Sequence, residues 1–339
     1  MTFAIKRGTN ISHWLSQSEA RGAPRRARFV REDVRKLAEL GFDHLRLPVD
    51  ETQMWEVNGR REPEAWELLN AGLDWCRECG LRVIVDLHIL RSHYFNQEKV
   101  PDLFTQQKEA ERFVELWRDL SDGLRQRPVD QVAYELMNEP VARDPEDWNR
   151  VYRGAYDLLR AQEPLRVVVI GSNQWNSPAT FDKLYVPPGD PHLLLTFHYY
   201  NPMLITHHQA PWWNMGKLYS GPIQYPGQPI PAAAWSALPG DVQCQLAPLN
   251  VHHDVSTMEH DLALPLAVAA RTGLALYCGE FGVLNTVPDA IRTAWYRDFR
   301  SVLERHGIAW GNWDYKGGFG LFGADGAPTA VLAALRQDG

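Results

Sequence analysis

The 339 residues allow one large barrel or two ordinary domains, with ample apolar material for a core. Hydrophobic residues make up 45% and charged ones 23%, a balance that speaks against both a disordered chain and a membrane-embedded one. The net charge of −7, with only a short basic run from Arg21 to Arg31, offers no stripe to neutralise phosphates, so nucleic acid is not an expected partner.

No apolar leader precedes Gly8, which reads as cytoplasmic if the chain is complete and as secreted or periplasmic if a leader has been trimmed. From there strands and helices alternate, the pattern of parallel βαβ units. Ala4–Thr9 is a first strand, Arg31–Leu40 a helix capped by Gly41, and His44–Val49 a second strand. Helix Glu64–Cys79 and strand Leu81–Leu87 follow, then helix Lys108–Arg125 and strand Gln131–Leu136. Helix Trp148–Ala161 leads to strand Val167–Ile170, and a Pro-rich link to strand Leu193–His198. Helix Leu262–Thr272, strand Ala275–Cys278, helix Ala290–His306, strand Ile308–Trp313 and helix Thr329–Gln337 complete the chain. Eight strands are the number of a closed (β/α)8 TIM barrel, here a single domain over residues 1–339. The segment 201–254, rich in Pro, Gly and Trp, reads as an elaborated βα loop between the sixth and seventh strands.

Four cysteines are too few for a disulfide scaffold, and Cys76-x-x-Cys79 lies within a helix with no second pair at metal-ligand spacing. A bridge between Cys244 and Cys278 stays open. Neither a metal nor a cofactor is expected, and the chain is expected to act as a monomer.

In such a barrel the catalytic groups sit at the C-terminal ends of the strands. Arg46 falls at the end of the second strand, His88 of the third, Asn138-Glu139 of the fourth, His198 and Tyr200 of the sixth, Glu280 of the seventh and Trp313 of the eighth. Each has a plain alternative: a rim ion pair for Arg46, a core histidine for His88 with Asp86 as its partner, a helix-capping carboxylate for Glu139, core aromatics for Tyr200 and Trp313. Their convergence on one mouth outweighs those alternatives. Asn138-Glu139-Pro140 joins an amide, a carboxylate and a rigid exit, and the glycines around Glu280 permit close approach of backbone or ligand.

Two carboxylates facing each other across a barrel mouth suit glycoside hydrolysis, one protonated to serve the leaving oxygen and one ionised at the anomeric carbon. Arg46 beside Glu280 would keep the latter ionised and Tyr200 would orient it, while desolvation and the second carboxylate would keep Glu139 protonated.

The ordered set Arg46, His88, Asn138-Glu139-Pro140, His198-x-Tyr200, Gly279-Glu280-Phe281-Gly282 and Trp313 resembles glycoside hydrolase family 5, the cellulase-type family of retaining barrels. Arg7-Gly8-Thr9-Asn10 also resembles that family's first strand, and the likeness runs from residue 5 to 320. The resemblance implies Glu139 as acid/base, Glu280 as nucleophile, Asn138 on the sugar 2-hydroxyl, Arg46, His88, His198 and Tyr200 in support, Trp313 as the platform of the −1 sugar, and retention of configuration. It implies a β-glucan substrate cut by an endo-β-glucanase, with β-mannan, xyloglucan or an exo-acting β-glucosidase as alternatives within the family. One departure stands out. After the third strand many members carry a Pro-Gly-Gly type loop, where this chain has Ile89 to Asn96, which makes His93 and Asn96 candidate sugar contacts.

Trp14, Trp55, Trp175 and Trp212-Trp213 fall in βα loops and are candidate groove walls, whereas Trp66, Trp75, Trp117, Trp148 and Trp295 fall in helices and read as core. A metal-dependent barrel hydrolase would need several convergent histidine ligands, and a non-catalytic carbohydrate-binding barrel should have lost one glutamate. The chain lacks the first signature and keeps both glutamates.

Overall fold

The computed structural model describes residues 3–97 and 99–336. Eight parallel strands close into a barrel in sequence order, β8 returning to β1. They are β1 (Arg7–Asn10), β2 (His44–Asp50), β3 (Arg82–Ile89), β4 (Val132–Glu135), β5 (Val168–Gly171), β6 (Leu193–Tyr199), β7 (Ala275–Phe281) and β8 (Ala309–Asn312). The expected (β/α)8 barrel is the observed one.

Helices wrap the outside, and local chemistry sets where they start. Pro63 opens the helix Pro63–Glu78, where Glu62 accepts a bond from the Ala65 amide at 2.7 Å. Asp144 caps Pro145–Gln162 in the same way through the Glu146 amide, at 2.9 Å. The helix expected over Leu262–Thr272 is two, Val255–Asp261 and Ala263–Thr272, because Asp254 caps an earlier start. The closing helix is shorter than expected, Ala330–Leu335, and its anticipated last residue Gln337 lies outside the described residues. The basic run near the N-terminus is matched by acids: Arg25 pairs with Glu62 and Glu64, Arg26 with Glu64 and Glu67. Among the described residues no helix is long and apolar enough to cross a membrane.

The barrel interior is layered. Ile84, Ala133, Val169, Leu194, Tyr277 and Ala309 form an apolar floor, joined from below by Phe3 and Ile5. One step up each strand, Asp86 on β3 pairs in register with Glu135 on β4, and the layer turns polar. At β7 the register with β6 shifts, so that His198 lies opposite Glu280 with Gly279 as the extra residue. A Cβ on Gly279 would lie 2.8 Å from Thr196 Oγ1 and 3.2 Å from His198 Nε2, so this bulge needs glycine.

Within the connection from β6 to β7, residues 201–254 carry three short α-helices, Met203–Thr206, Ala232–Ser236 and Gly240–Leu246, and a 3-10 turn, Met215–Leu218, around a small core of Leu204, Tyr219, Ile230 and Leu246. All four cysteines are free: Cys278 is buried and Cys244 exposed, so they form no bridge.

Three expectations about the groove are corrected here. Trp14 is only 1% exposed, packed edge-on against Phe29 at 4.9 Å and over Gly72, inside the layer between barrel and helices. Trp55 is likewise buried, its indole N–H donating to Asp119 at 2.7 Å. His93 is 1% exposed beneath its own loop, against Phe104 at 5.5 Å, and does not line the cleft. In each case the chain leaving the strand turns back over the outer helices and buries the large ring. Trp66, Trp117, Trp148 and Trp295 are core, and half-buried Trp75 packs on it, as their helical positions imply.

Trp14→Ala should therefore cost about 3–5 kcal/mol in urea unfolding, the usual range for emptying a buried Trp site. At a temperature where the variant is folded, the kinetics of the cleft should be unchanged. A raised KM with unaltered stability would return Trp14 to the groove.

Candidate active site

Arg46 is the third residue of β2, not its last as expected, and its guanidinium reaches up the barrel axis from there. It is fully buried. Its Nε and Nη2 grip Glu135 at 2.7 and 2.9 Å, Nη2 also donates to Asn138 Oδ1 at 2.9 Å, and Nη1 donates to Asn10 Oδ1 at 2.9 Å and to Glu280 Oε1 at 2.7 Å. Glu280 Oε2 accepts from the Tyr200 hydroxyl at 2.9 Å. Both of the nucleophile candidate's oxygens are thus held, as the sequence implies.

Asn138 and Glu139 stand three and four residues beyond the last residue of β4. Glu139 has φ of 37°, a left-handed conformation that a non-glycine residue adopts at a cost, here imposed between Asn138 and Pro140. The segment is tied to the loop after β5: Asn173 bonds the Ala142 amide and carbonyl at 2.8 and 2.9 Å, and the Trp175 amide donates to Pro140 O at 3.2 Å. That loop also runs left-handed through Gln174, Trp175 and Asn176, with φ of 55, 61 and 53°.

The run delivers Asn176 beneath His198, its amide nitrogen 3.4 Å from Nε2. An N–H facing Nε2 leaves the imidazole proton on Nδ1, which donates to Glu139 Oε1 at 2.8 Å. The other oxygen of Glu139 is left for the cleft. One oxygen each of Glu139 and Glu280 and one nitrogen of His198 all lie within 4.8 Å of one another. Those donor atoms are already committed, since His198 Nδ1 is bonded to Glu139 and both oxygens of Glu280 are held by Arg46 and Tyr200, so the trio reads as two acids each with its own hydrogen-bond partners and not as a cation site.

Burial, then the charge of Glu280, raises the Glu139 carboxyl well above its ordinary range, with Arg46 opposing. Burial also raises Glu280, but the Arg46 guanidinium and the Tyr200 hydroxyl, both bonded to it, pull it down, so Glu139 is the better placed of the two to keep its proton. Burial and the positive charge of Arg46 hold His198 neutral.

His88 bonds Asp86 through Nδ1 at 2.6 Å, and its ring lies 5.5 Å from that of Trp313, almost parallel at 4°. Trp313 forms one wall of a cleft of about 1170 Å³ that also takes in His13, Asn96, Glu139, Glu280 and Phe319. Trp212 is 51% exposed and Trp175 47% exposed on the same cleft, and the Trp175 indole N–H donates to Phe95 O at 2.9 Å across it. The structure thus brings together Arg46, His88, Asn138, Glu139, His198, Tyr200, Glu280 and Trp313, with Asn96, Trp175 and Trp212 on the cleft wall.

Sequence reading missed Glu135, Asn10 and Asn176 as parts of this site. A charged residue inside a barrel strand, in Ala133-Tyr134-Glu135-Leu136, was the available signal for Glu135, because a charge there needs a buried partner. Asn176 depends on a left-handed turn that no residue pattern announces.

The model of the family "Cellulase (glycosyl hydrolase family 5)" matches residues 20–318. Endoglucanase C of Acetivibrio thermocellus is 28% identical over 332 residues, 96% of each chain. Cellodextrinase A of Ruminococcus flavefaciens is 26% identical over 308 residues, 90% of this chain and 84% of that one. Among solved structures, the endoglucanase Cel5A of Thermotoga maritima superposes with a TM-score of 0.79 at 22% identity, over 97% of this chain and 96% of that one. A closed barrel with two glutamates facing each other at its mouth, and a family match across most of its length, place this chain in glycosyl hydrolase family 5, as a glycosidase.

Proposed function

We propose that the chain is a retaining endo-β-glucanase that cuts internal β-1,4 or mixed β-1,3/1,4 bonds by double displacement, with Glu139 as acid/base and Glu280 as nucleophile. The carrying observation is that an oxygen of each lies within 4.8 Å of the other. Retaining pairs stand about 5–5.5 Å apart, whereas inversion needs about 6.5–9.5 Å to admit a water.

In the first step the free oxygen of Glu139 gives its proton to the glycosidic oxygen while Glu280 attacks the anomeric carbon from the opposite side. The C1–O bond to the leaving chain breaks and a glycosyl ester forms. Esterified Glu280 no longer carries the charge that raises Glu139, so Glu139 becomes the stronger acid just when it must act as a base. It then takes a proton from the water that hydrolyses the ester. Asn138 Nδ2, buried and without a partner among the described residues, is free to donate to a sugar hydroxyl beside the nucleophile, in keeping with a bond to the 2-hydroxyl. Trp313 underlies the reacting sugar, and the exposed faces of Trp175 and Trp212 extend the cleft for further rings. The full-length likeness to relatives named as endoglucanases, and to one named as a cellodextrinase, supports glucan as the polymer.

Glu280→Gln should lower kcat at least about 10⁴-fold on every substrate. Glu139→Gln should lower it about 10²–10⁴-fold on polymer but far less for the first step on an aryl glycoside whose leaving group needs no proton. Full turnover by Glu280→Gln on that aryl glycoside would overturn the assignment.

The kcat/KM profile should be bell-shaped, lost below the pKa of Glu280 as it protonates and lost above that of Glu139 as it ionises. Tyr200→Phe removes a hydrogen bond to the charged form of Glu280 and raises its pKa, so the acid limb should move to higher pH by about one unit. An unmoved acid limb would separate Tyr200 from the nucleophile.

On barley β-glucan, carboxymethylcellulose, mannan, xylan and xyloglucan, the expected result is cleavage of the first two with a spread of oligosaccharides. A single small product from the chain ends would replace endo with exo action.

A further inference from the structure

A guanidinium has five N–H donors. Arg46 spends two on Glu135 and one each on Asn138, Asn10 and Glu280. None remains for Asp86, although Asp86 Oδ2 stands 3.0 Å from Nη2. Asp86 is fully buried, its Oδ2 meets His88 Nδ1 at 2.6 Å, and its Oδ1 has no hydrogen-bond partner among the described residues.

The charged and titratable groups around it are Arg46 and Asp50 from β2, His88 on its own strand, Glu135 and Glu139 from β4 and its exit, and Glu280 from β7. One cation faces five acids in a dry layer. Glu135, gripped by two N–H groups, and Glu280, held by Arg46 and Tyr200, are the carboxylates equipped to be ionised. Asp86 is not, since a buried carboxylate with one hydrogen bond and a bare oxygen takes up a proton instead. Burial pushes Asp86 up to about 7, as it does Glu135, and His88 down to about 3, each toward its neutral form, and the two N–H groups on Glu135 are what set it apart from Asp86.

A neutral acid must place its O–H, and the acceptor beside Asp86 is His88 Nδ1. Nδ1 can accept only with its lone pair, which puts the imidazole proton on Nε2. That nitrogen is buried without a partner among the described residues, on a ring that lines the cleft against Trp313. We infer that Asp86 is a resident neutral acid that donates to Nδ1 of His88, and thereby sets His88 to offer an Nε2–H donor to an oxygen of the bound sugar. Asp86 is a positioning residue, acting through His88. An ionised Asp86 would force the opposite tautomer, with a bare Nε2 that could only accept from a sugar hydroxyl.

A long-range proton–nitrogen correlation spectrum of the full chain carrying isotopically labelled histidine reads the tautomer directly, at about pH 5, between the values for the two groups. The His88 signals are those lost in His88→Asn. Protonated Nε2 with bare Nδ1 is expected; protonated Nδ1, or both nitrogens protonated, overturns the inference. This measurement is made on the unaltered chain and does not depend on which glutamate does what.

The kinetic arm does rest on Glu280 as nucleophile. Asp86→Asn keeps a neutral side chain with an N–H for Nδ1, so the acid limb of kcat/KM should stay within about 0.3 of a pH unit. If Asp86 were a carboxylate, its removal would take away an anion that raises Glu280, and the limb would fall by about one unit or more. A shifted limb with the expected spectrum would count against the nucleophile assignment and not against the tautomer.

Discussion

A guanidinium sealed inside a barrel has no water to fall back on, so every N–H it carries must find an oxygen, and Arg46 finds five. Those five oxygens come from β1, β4, the exit of β4 and β7, so one side chain gathers four parts of the barrel around a single point. Breaking such a cluster by removing one partner leaves buried charge uncompensated, commonly a loss of about 3–5 kcal/mol. The same cluster is what makes the two glutamates unequal. Glu280 touches the cation and Glu139 does not, so with an otherwise similar burial ionisation is favoured at the first and protonation at the second.

The second requirement is aim, and the backbone supplies it at three irregular places. The bulge at Gly279 sets Glu280 opposite His198. The left-handed Glu139 turns its carboxyl toward both. The left-handed run Gln174 to Asn176 brings an amide under His198 and so decides which imidazole nitrogen faces the acid. Regular strands deliver side chains to a barrel mouth at fixed heights, and these departures make the final adjustments.

Much of this was legible in the sequence. The alternation of strands and helices gave the barrel, and polar residues ending apolar strands gave the mouth, because a dry strand tolerates a charge only where a partner or a substrate awaits it. Height along a strand was less legible. Alternation tells which face Arg46 points to but not that it starts low and reaches upward, which is also why Glu135 escaped notice. Loop residues were the least legible. Trp14, Trp55 and Trp175 all follow strands, yet two are buried and one is exposed, and the difference lies in which way the chain turns after the strand. Asn96 and His93 part in the same way, three residues apart on one loop, one on the cleft and one beneath it.

The apolar floor of Ile84, Ala133, Val169, Leu194, Tyr277 and Ala309 does more than fill space. It closes the lower end of the barrel, so the buried acids exchange with solvent through the mouth that the substrate occupies. A sugar chain seated in that mouth would stand between these acids and bulk water, so their exchange with solvent should slow when substrate is bound.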